Sequence, residues 1–264
     1  MQKGRLMGGP FLWSAGQRLP VTGHTARMRV IGILGGSSDQ ATGDYYRQLN
    51  LAVKRRLGGF HTAELVINSQ DFAVAERWVR DGAWDEAAVD LRRRAQALER
   101  AGAELLICVS NTLHRCAAEF TRGLSIPFLH IVEPTGQAIR AAGLRRVALL
   151  GTRPVMAEDY IQRRYREQFD IDLVVPEPEQ QRELHRIIFH ELCQGQFLAT
   201  SKAYYLQVIE GCRQRGAEGV ILGCTEIPLL VGPQDLPGLP QFDTAALHVA
   251  AAVDWALGGS SAES

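Results

Sequence analysis

Two patterns of apolar residues alternate along the chain. Short apolar runs typical of buried strands are separated by longer segments whose apolar positions recur at helical spacing. The predicted strands are 29–34, 64–68, 104–109, 126–131, 146–150, 171–175, 219–222 and a short one near 241. The predicted helices are 39–57, 84–101, 134–142, 156–169, 179–193, 197–215, 226–230 and 244–256. This alternation predicts an α/β fold in which mainly parallel sheets carry helices on both faces.

The chain also contains an internal echo. The run Val30–Gly36, closed by glycines, is repeated in pattern at Arg146–Thr152, and each is followed later by an apolar run that stops at a polar cluster. We expect two pseudo-symmetric domains that present these clusters to one cleft. The predicted divisions are an N-terminal arm 1–27, a first domain 28–143, a second domain 144–242, a helix 243–257 that can return to the first domain, and a tail 258–264.

Composition excludes several functional classes. Hydrophobic residues make up 46% of the 264 residues and the formal net charge is zero, so nothing indicates a basic surface for nucleic acid. No segment is long and apolar enough to cross a membrane. Five cysteines without a CxxC pair predict reduced thiols and a cytoplasmic protein, and their spacing does not indicate a zinc site. Cys116, Cys193 and Cys212 are expected to be packing residues.

The candidate chemistry follows two of the predicted strands. In open parallel sheets, ligands bind beyond the carboxyl ends of the strands. Cys224 lies at such an end, immediately before a predicted helix, so we expect a lowered pKa and a thiolate able to act as a general base. The alternative is a buried, inert thiol. Gly223 before it and the polar Thr225 and Glu226 after it favour the site.

The corresponding cluster of the first half carries hydroxyls and an amide. Ser110 and Thr112 either bind a ligand or cap the following helix, and Asn111 can donate to a carboxylate. His114, one turn later, is either a partner behind these residues or a structural histidine. The glycine loop that includes Gly36 and Ser37 lacks the spacing of a dinucleotide motif, but its N–H groups can face a small anion.

Three segments together resemble the aspartate/glutamate racemase family of PLP-independent enzymes, over roughly residues 29–257. These segments are Ile31–Gly36, Ser110–His114 and Gly223–Pro228. The resemblance implies two pseudo-symmetric α/β domains with the active site between them. It implies a small amino acid as substrate, no cofactor, no metal and a homodimer. Two cysteines flank the substrate α-carbon in such enzymes.

The resemblance also assigns roles to residues of this chain. Cys224 matches the cysteine of the second half, whereas Ser110 occupies the position of the first, as in a branch of the family with a hydroxyl residue there. The residues implied to bind the substrate are Gly36, Ser37, Asn111, Thr112 and Thr225, with Arg56 and Arg182 for a side-chain carboxylate and His114 and Glu226 behind them.

The Cys/Ser asymmetry leads to a specific expectation. In that branch the cysteine of the second half takes the proton from the L-enantiomer, so the resemblance implies that Cys224 removes the α-proton of L-aspartate or L-glutamate and the Ser110 side supplies a proton. Conversion of L to D is then expected to be favoured and the reverse to be slow. A serine hydroxyl is a far poorer base than a thiolate. Two alternatives stay open: a decarboxylase or isomerase that uses one cysteine on a dicarboxylate, and a non-catalytic amino-acid-binding protein.

Overall fold

The computed structural model describes residues 27–258. The predicted arm 1–27 and tail 258–264 therefore lie outside the described residues, except for Arg27 and Gly258. No helix within the described part of the chain is long and apolar enough to span a membrane.

The first sheet is parallel and has the strand order β2-β1-β3. Its strands are β1 Ile31–Gly35, β2 Leu65–Ser69 and β3 Leu105–Cys108. The strand predicted at 126–131 is reduced to one parallel bridge, between Leu106 and Phe128. Pro127 has no N–H to donate to a ladder, which limits pairing in this segment.

The second sheet is also parallel and has the order β5-β4-β6-β7. Its strands are β4 Arg146–Gly151, β5 Asp172–Val174, β6 Val220–Gly223 and β7 Gln241–Asp243. The two sheets correspond to the two halves predicted from the internal echo. Glycines allow a close approach where β4 and β6 end: a Cβ on Gly223 would lie 2.7 Å from the carbonyl oxygen of Leu150.

Helices cover both faces of each sheet. Those of the first half are α1 Asp39–Leu57, α2 Phe72–Asp81, α3 Trp84–Arg100, α4 Ala117–Phe120 and α5 Val132–Ala141. Those of the second half are α6 Arg153–Ala157, α7 Asp159–Phe169, α8 Pro178–His190, α9 Ala199–Gln214, α10 Ile227–Leu230 and α11 Thr244–Ala256. The sequence pattern did not predict α2, which forms one wall of the interdomain cleft.

Two helices cross between the halves. The apolar face of α11 packs against β1, β3 and α1, and the N–H of Arg29 donates to the carbonyl of Ala256. Conversely, Val132 and Ile139 of α5 pack with β4 and β6 of the second sheet. This packing groups α5 with the second half and favours a domain boundary near residue 131. The division predicted from the sequence, at 143/144, stays a proposal.

Candidate active site

A cavity of about 40 Å³ lies between the two halves, beyond the carboxyl ends of β1, β3, β4 and β6. It is lined by Ser37, Phe72, Ala75, Val79, Val109, Ser110, Asn111, Thr112, Leu113, Thr152, Ile188, Phe189, Cys193, Gly223, Cys224, Thr225 and Glu226. The polar clusters of the two halves therefore face one space. Ser110 comes from the first half and Cys224 from the second, so each half contributes a proton-bearing side chain to this cavity.

Cys224 is partly exposed to the cavity and hydrogen-bonded to a carboxylate. It follows β6 directly, and its thiol donates to Oε2 of Glu226 at 3.1 Å. Burial and the charge of Glu226 raise the pKa of this thiol well above its ordinary value. In the free protein, the proton therefore stays on the sulfur.

This finding corrects the expectation of a lowered pKa for Cys224. That expectation relied on the N-terminus of a following helix, but α10 begins three residues later and has only four residues. Such a short helix contributes little dipole. Desolvation and a neighbouring carboxylate act in the opposite direction and dominate here.

Glu226 is a buried carboxylate, 3% exposed, with several hydrogen-bond donors. The hydroxyl of Ser38 donates to Oε1 at 2.6 Å, and that of Thr225 donates to Oε2 at the same distance. The thiol of Cys193 lies 3.8 Å from Oε1. No Lys, Arg or His within residues 27–258 pairs with this carboxylate. A buried charge without a counter-ion is costly, so a cationic ligand group would be bound favourably beside it.

Two hydrogen bonds hold Ser110 in place, one from the backbone N–H of Leu113 and one from the ring of His114. Its hydroxyl oxygen accepts from the N–H of Leu113 at 3.2 Å, which is a cap on the 3₁₀ turn that follows. Nε2 of His114 accepts from the N–H of Ile131, so the ring proton lies on Nδ1 and is donated to the Ser110 carbonyl at 2.6 Å. Burial lowers the pKa of His114 to about 3 and keeps this ring neutral.

Asn111 and Thr112 connect the halves across the cavity. Nδ2 of Asn111 donates to Oγ1 of Thr244 at 3.0 Å. The hydroxyls of Thr112 and Thr152 lie 2.8 Å apart and share a hydrogen bond. Thr152 directly follows β4 and Thr112 lies beyond the end of β3, and the structure brings them into contact. These bonds fix the mutual position of the two polar clusters.

The glycine loop divides into a structural and a ligand-facing part. Gly36 has φ +86°, and a Cβ there would lie 2.2 Å from the carbonyl oxygen of Gln70. Its N–H donates to Oγ1 of Thr42, so this group is not free to bind a substrate, contrary to the prediction. Ser37 does line the cavity, and its buried hydroxyl has no partner among the described residues.

Neither predicted arginine reaches the cavity. Arg56 lies in the last turn of α1, roughly 25 Å along the helix from the end near the site. It pairs with Asp254 of α11. Arg182 pairs with Glu179 and lines a larger, open depression outside the cavity. The prediction that these two residues hold a side-chain carboxylate therefore fails in this structure.

Sequence reasoning missed Ser38 and Cys193. Ser38 is the N-cap of α1, and the same hydroxyl contacts Glu226 from the other half. Cys193 was expected to be a packing residue, and it is buried, but it also lines the cavity. No motif or spacing in the sequence indicates either contact. Cys116 and Cys212 are packing residues as expected. Cys108 is also fully buried, and burial raises its pKa to about 12.

Within residues 27–258, no group of His, Cys, Asp and Glu side chains is arranged to hold a metal ion. The polar groups that face the cavity are hydroxyls, a side-chain amide, thiols and one carboxylate. This set can bind both charged groups of a zwitterion and move protons.

Comparison with known proteins identifies the family. The model of the family described as Asp/Glu/hydantoin racemase matches residues 31–252. The chain belongs to this family. It is therefore an amino-acid racemase, a class of isomerase, and the resemblance to the racemase family is confirmed.

Solved structures of racemases and a racemase homologue are similar to this chain. A candidate Asp/Glu racemase from Yersinia pestis is 39% identical, with a TM-score of 0.80 over 87% of this chain and 100% of the other. An aspartate racemase homologue from Pyrococcus horikoshii is 34% identical, with a TM-score of 0.73 over 87% and 99%. The aspartate racemase of Picrophilus torridus, at 21% identity and a TM-score of 0.68 over 87% and 94%, shares the fold. The fold class predicted from the sequence is confirmed.

Proposed function

We propose that the protein racemises a free α-amino acid, with Cys224 as the base for the L-enantiomer and the Ser110 side as the proton donor on the opposite face. The observation that carries this proposal is that a thiol and a hydroxyl from different halves line one small cavity. A planar carbanion held between them can be reprotonated from the second face.

Glu226 is proposed to accept the proton of Cys224. The thiol already donates to its Oε2 at 3.1 Å. When the substrate binds, its ammonium group supplies the missing positive charge beside Glu226. The sulfur proton passes to Glu226, the thiolate removes the α-proton, and the Ser110 side protonates the carbanion from the opposite face. Solvent then takes the proton of the Glu226 carboxylic acid and returns one to the Ser110 oxygen, which restores the starting state. We place Glu226 among the catalytic groups, in contact with the reacting sulfur.

The negative charge that develops on the substrate carboxylate requires hydrogen-bond donors. The candidates at the cavity surface are the hydroxyls of Ser37 and Thr112 and the amide of Asn111, whereas the hydroxyl of Thr225 already donates to Glu226. The Ser37 hydroxyl is buried without a partner, which makes it the donor most in need of an acceptor. Such pre-positioned donors stabilise the enolate-like transition state.

The expected preference for conversion of L to D cannot be a difference in kcat/KM between the two directions. Two enantiomers have equal free energy, so kcat/KM for racemisation must be the same in both directions, whatever the residues. The asymmetry between Cys224 and Ser110 is expressed in another way. Cys224 removes the α-proton of the L-form and can return a solvent-derived one to the same face. Ser110 seldom does the same for the D-form. Exchange without inversion is therefore faster for L.

The test is α-proton exchange in deuterated water, followed by proton NMR, with chiral chromatography of the same samples. L-aspartate and L-glutamate, which the resemblance predicts as substrates, and a panel of other amino acids are used as both enantiomers. We expect exchange to exceed inversion from L but not from D, and Cys224→Ala to lose both. Equal excess exchange from both enantiomers would overturn the roles given to Cys224 and Ser110. Persistent turnover in Cys224→Ala would do the same.

One observation favours a second candidate reaction. A single reactive thiol that faces a hydroxyl and an apolar wall also suits protonation of an enediolate after decarboxylation of a disubstituted malonate. Release of carbon dioxide from such a malonate, with no exchange on any amino acid, would select this reaction. The absence of nucleic-acid and membrane partners, the implied homodimer and the cytoplasmic location remain predictions. Light scattering after size-exclusion chromatography tests the dimer.

A further inference from the structure

The cavity between the halves is too small in this conformation to hold a whole acidic amino acid. Its volume of about 40 Å³ leaves room for only a few water-sized groups. The groups around the α-carbon fill this space when that carbon lies between Ser110 and Cys224. The side chain must then extend outwards, and its carboxylate must be bound at the edge of the cavity or beyond it.

An open depression of about 1060 Å³ adjoins the cavity. The two spaces share the side chains of Phe72, Val79 and Phe189 and therefore meet at these residues. The rings of Phe72 and Phe189 stack on each other at this boundary, with centroids 6.1 Å apart and planes within 11°. A substrate side chain that leaves the cavity here passes the aromatic pair and enters a space lined by charged groups.

Most charged side chains of the depression already form ion pairs. These pairs are Glu76 and Asp81 with Arg80, Glu158 with Arg115, and Arg182 with Glu179. Arg153 also lines the depression, but no carboxylate among residues 27–258 lies within ion-pair distance of its guanidinium. Its side chain is exposed and can adopt several rotamers. An anionic group that enters the depression can therefore bind Arg153 without displacing another carboxylate.

The backbone of Arg153 lies at the edge of the cavity. Arg153 directly follows Thr152, which lines the cavity and shares a hydrogen bond with Thr112. Consecutive Cα atoms are about 3.8 Å apart. The N–H of Arg153 donates to Nδ1 of His185 at 3.2 Å, and the His185 ring contacts that of Phe189, with centroids 4.7 Å apart. These contacts place Arg153 beside the boundary between the two spaces.

The imidazole of His185 does not supply the positive charge at this boundary. Burial and, next, the charge of Arg153 lower the pKa of His185, so its ring is neutral near pH 7. Because Nδ1 accepts from the N–H of Arg153, the ring proton lies on Nε2. The permanent positive charge beside Phe189 therefore belongs to Arg153.

We infer that Arg153 binds the side-chain carboxylate of an acidic amino acid whose α-carbon lies between Ser110 and Cys224. This inference rests on the proposed function and deepens it, because it names the group that selects acidic substrates. The planar guanidinium of arginine can hold both oxygens of a carboxylate. Arg153 takes the role that the resemblance implied for Arg56 and Arg182, both of which pair with carboxylates of the chain.

Acidic amino acids and their amides are matched pairs for the test, because they have the same shape and differ in charge. Exchange of the α-proton in deuterated water gives kcat/KM for L-glutamate, L-glutamine, L-aspartate and L-asparagine. We expect the wild type to favour the acid of at least one pair by about tenfold or more. Arg153→Gln should lower kcat/KM at least about tenfold for that acid and leave its amide within about threefold.

Two further variants separate a specific contact from a general effect of charge. Arg182→Gln is the matched control, because Arg182 lines the same depression but pairs with Glu179. It should keep the preference for the acid. Arg153→Lys retains the charge but loses the two-pronged geometry, so its preference should lie between those of the wild type and Arg153→Gln.

Three results would overturn the inference and leave the proposed racemase activity intact. They are an equal or higher kcat/KM for the amides in the wild type, an equal loss on acid and amide in Arg153→Gln, and an unchanged preference in that variant. Absence of exchange on every amino acid tested would refute the proposed function, and the inference with it.

Discussion

Replacement of Glu226 by glutamine tests the proposed proton acceptor directly. The substitution keeps the shape of the side chain but removes its charge and its ability to take a proton from Cys224. Burial and Glu226 together raise the pKa of the Cys224 thiol, so Glu226→Gln should lower that pKa and increase the thiolate fraction. The rate should nevertheless fall, because the sulfur proton has lost its acceptor.

The structure sets the expected magnitudes. Ser38 and Cys193 donate to one oxygen of Glu226, and Thr225 and Cys224 donate to the other. A glutamine keeps one of these oxygens. The serine and threonine hydroxyls can turn and accept from its NH₂ group. We therefore expect a loss of stability of about 1–2 kcal/mol. Loss of a positioned acid–base group typically costs a factor of about 10²–10⁴ in rate.

The assay combines two measurements. Ultraviolet absorbance of the thiolate, titrated against pH, gives the pKa of Cys224, and α-proton exchange gives the rate on the best L-substrate. Glu218→Gln is the matched control, because Glu218 is exposed and contacts neither cysteine. A rate within about threefold of the wild type would refute the role of Glu226 as proton acceptor. A rise in the thiol pKa would refute the electrostatic account of Cys224.

Three other predictions follow from the same geometry. Ser110→Cys should raise exchange without inversion from the D-enantiomer to the level seen from L, by NMR in deuterated water, and an unchanged ratio would contradict the assignment of Ser110. The kcat/KM of the wild type should not rise with pH through the ordinary thiol range near ~8.5, because the raised pKa of Cys224 keeps the thiol protonated there and its proton passes to Glu226 rather than to solvent. His114, whose pKa is lowered to about 3, should add no acidic limb above pH 5. Gly36→Ala should lower the free energy of unfolding by at least about 2 kcal/mol in urea titration, since its φ is +86° and a Cβ meets Gln70 at 2.2 Å. Gly43→Ala, which meets nothing within 4 Å, should not.

The sequence was sufficient to locate the site because the fold obeys a general rule. Apolar runs that stop at Ser110 and Cys224 are strands, and parallel strands of an open sheet end at one edge. The internal echo predicted two such edges facing each other. Both inferences need only the local pattern and the chain direction. They therefore hold although several helix boundaries differ from the prediction and α2 was not predicted.

The electrostatics of the site were not accessible from the same pattern. Ser38 and Glu226 are separated by 188 residues, and their hydrogen bond exists only after the halves pack together. The pKa of Cys224 depends on that burial, so a rule based on helix ends gave the wrong sign. Arg56 was matched by its place in the sequence, but α1 carries it to the far end of the sheet.

The resting proton on Cys224 has an electrostatic cause. Glu226 is buried without a cation among residues 27–258, and its charge opposes a thiolate. A zwitterionic amino acid brings an ammonium that compensates Glu226 and a carboxylate that meets the hydroxyl donors, so its net charge in the cavity is zero. The thiol can then ionise once the substrate is present.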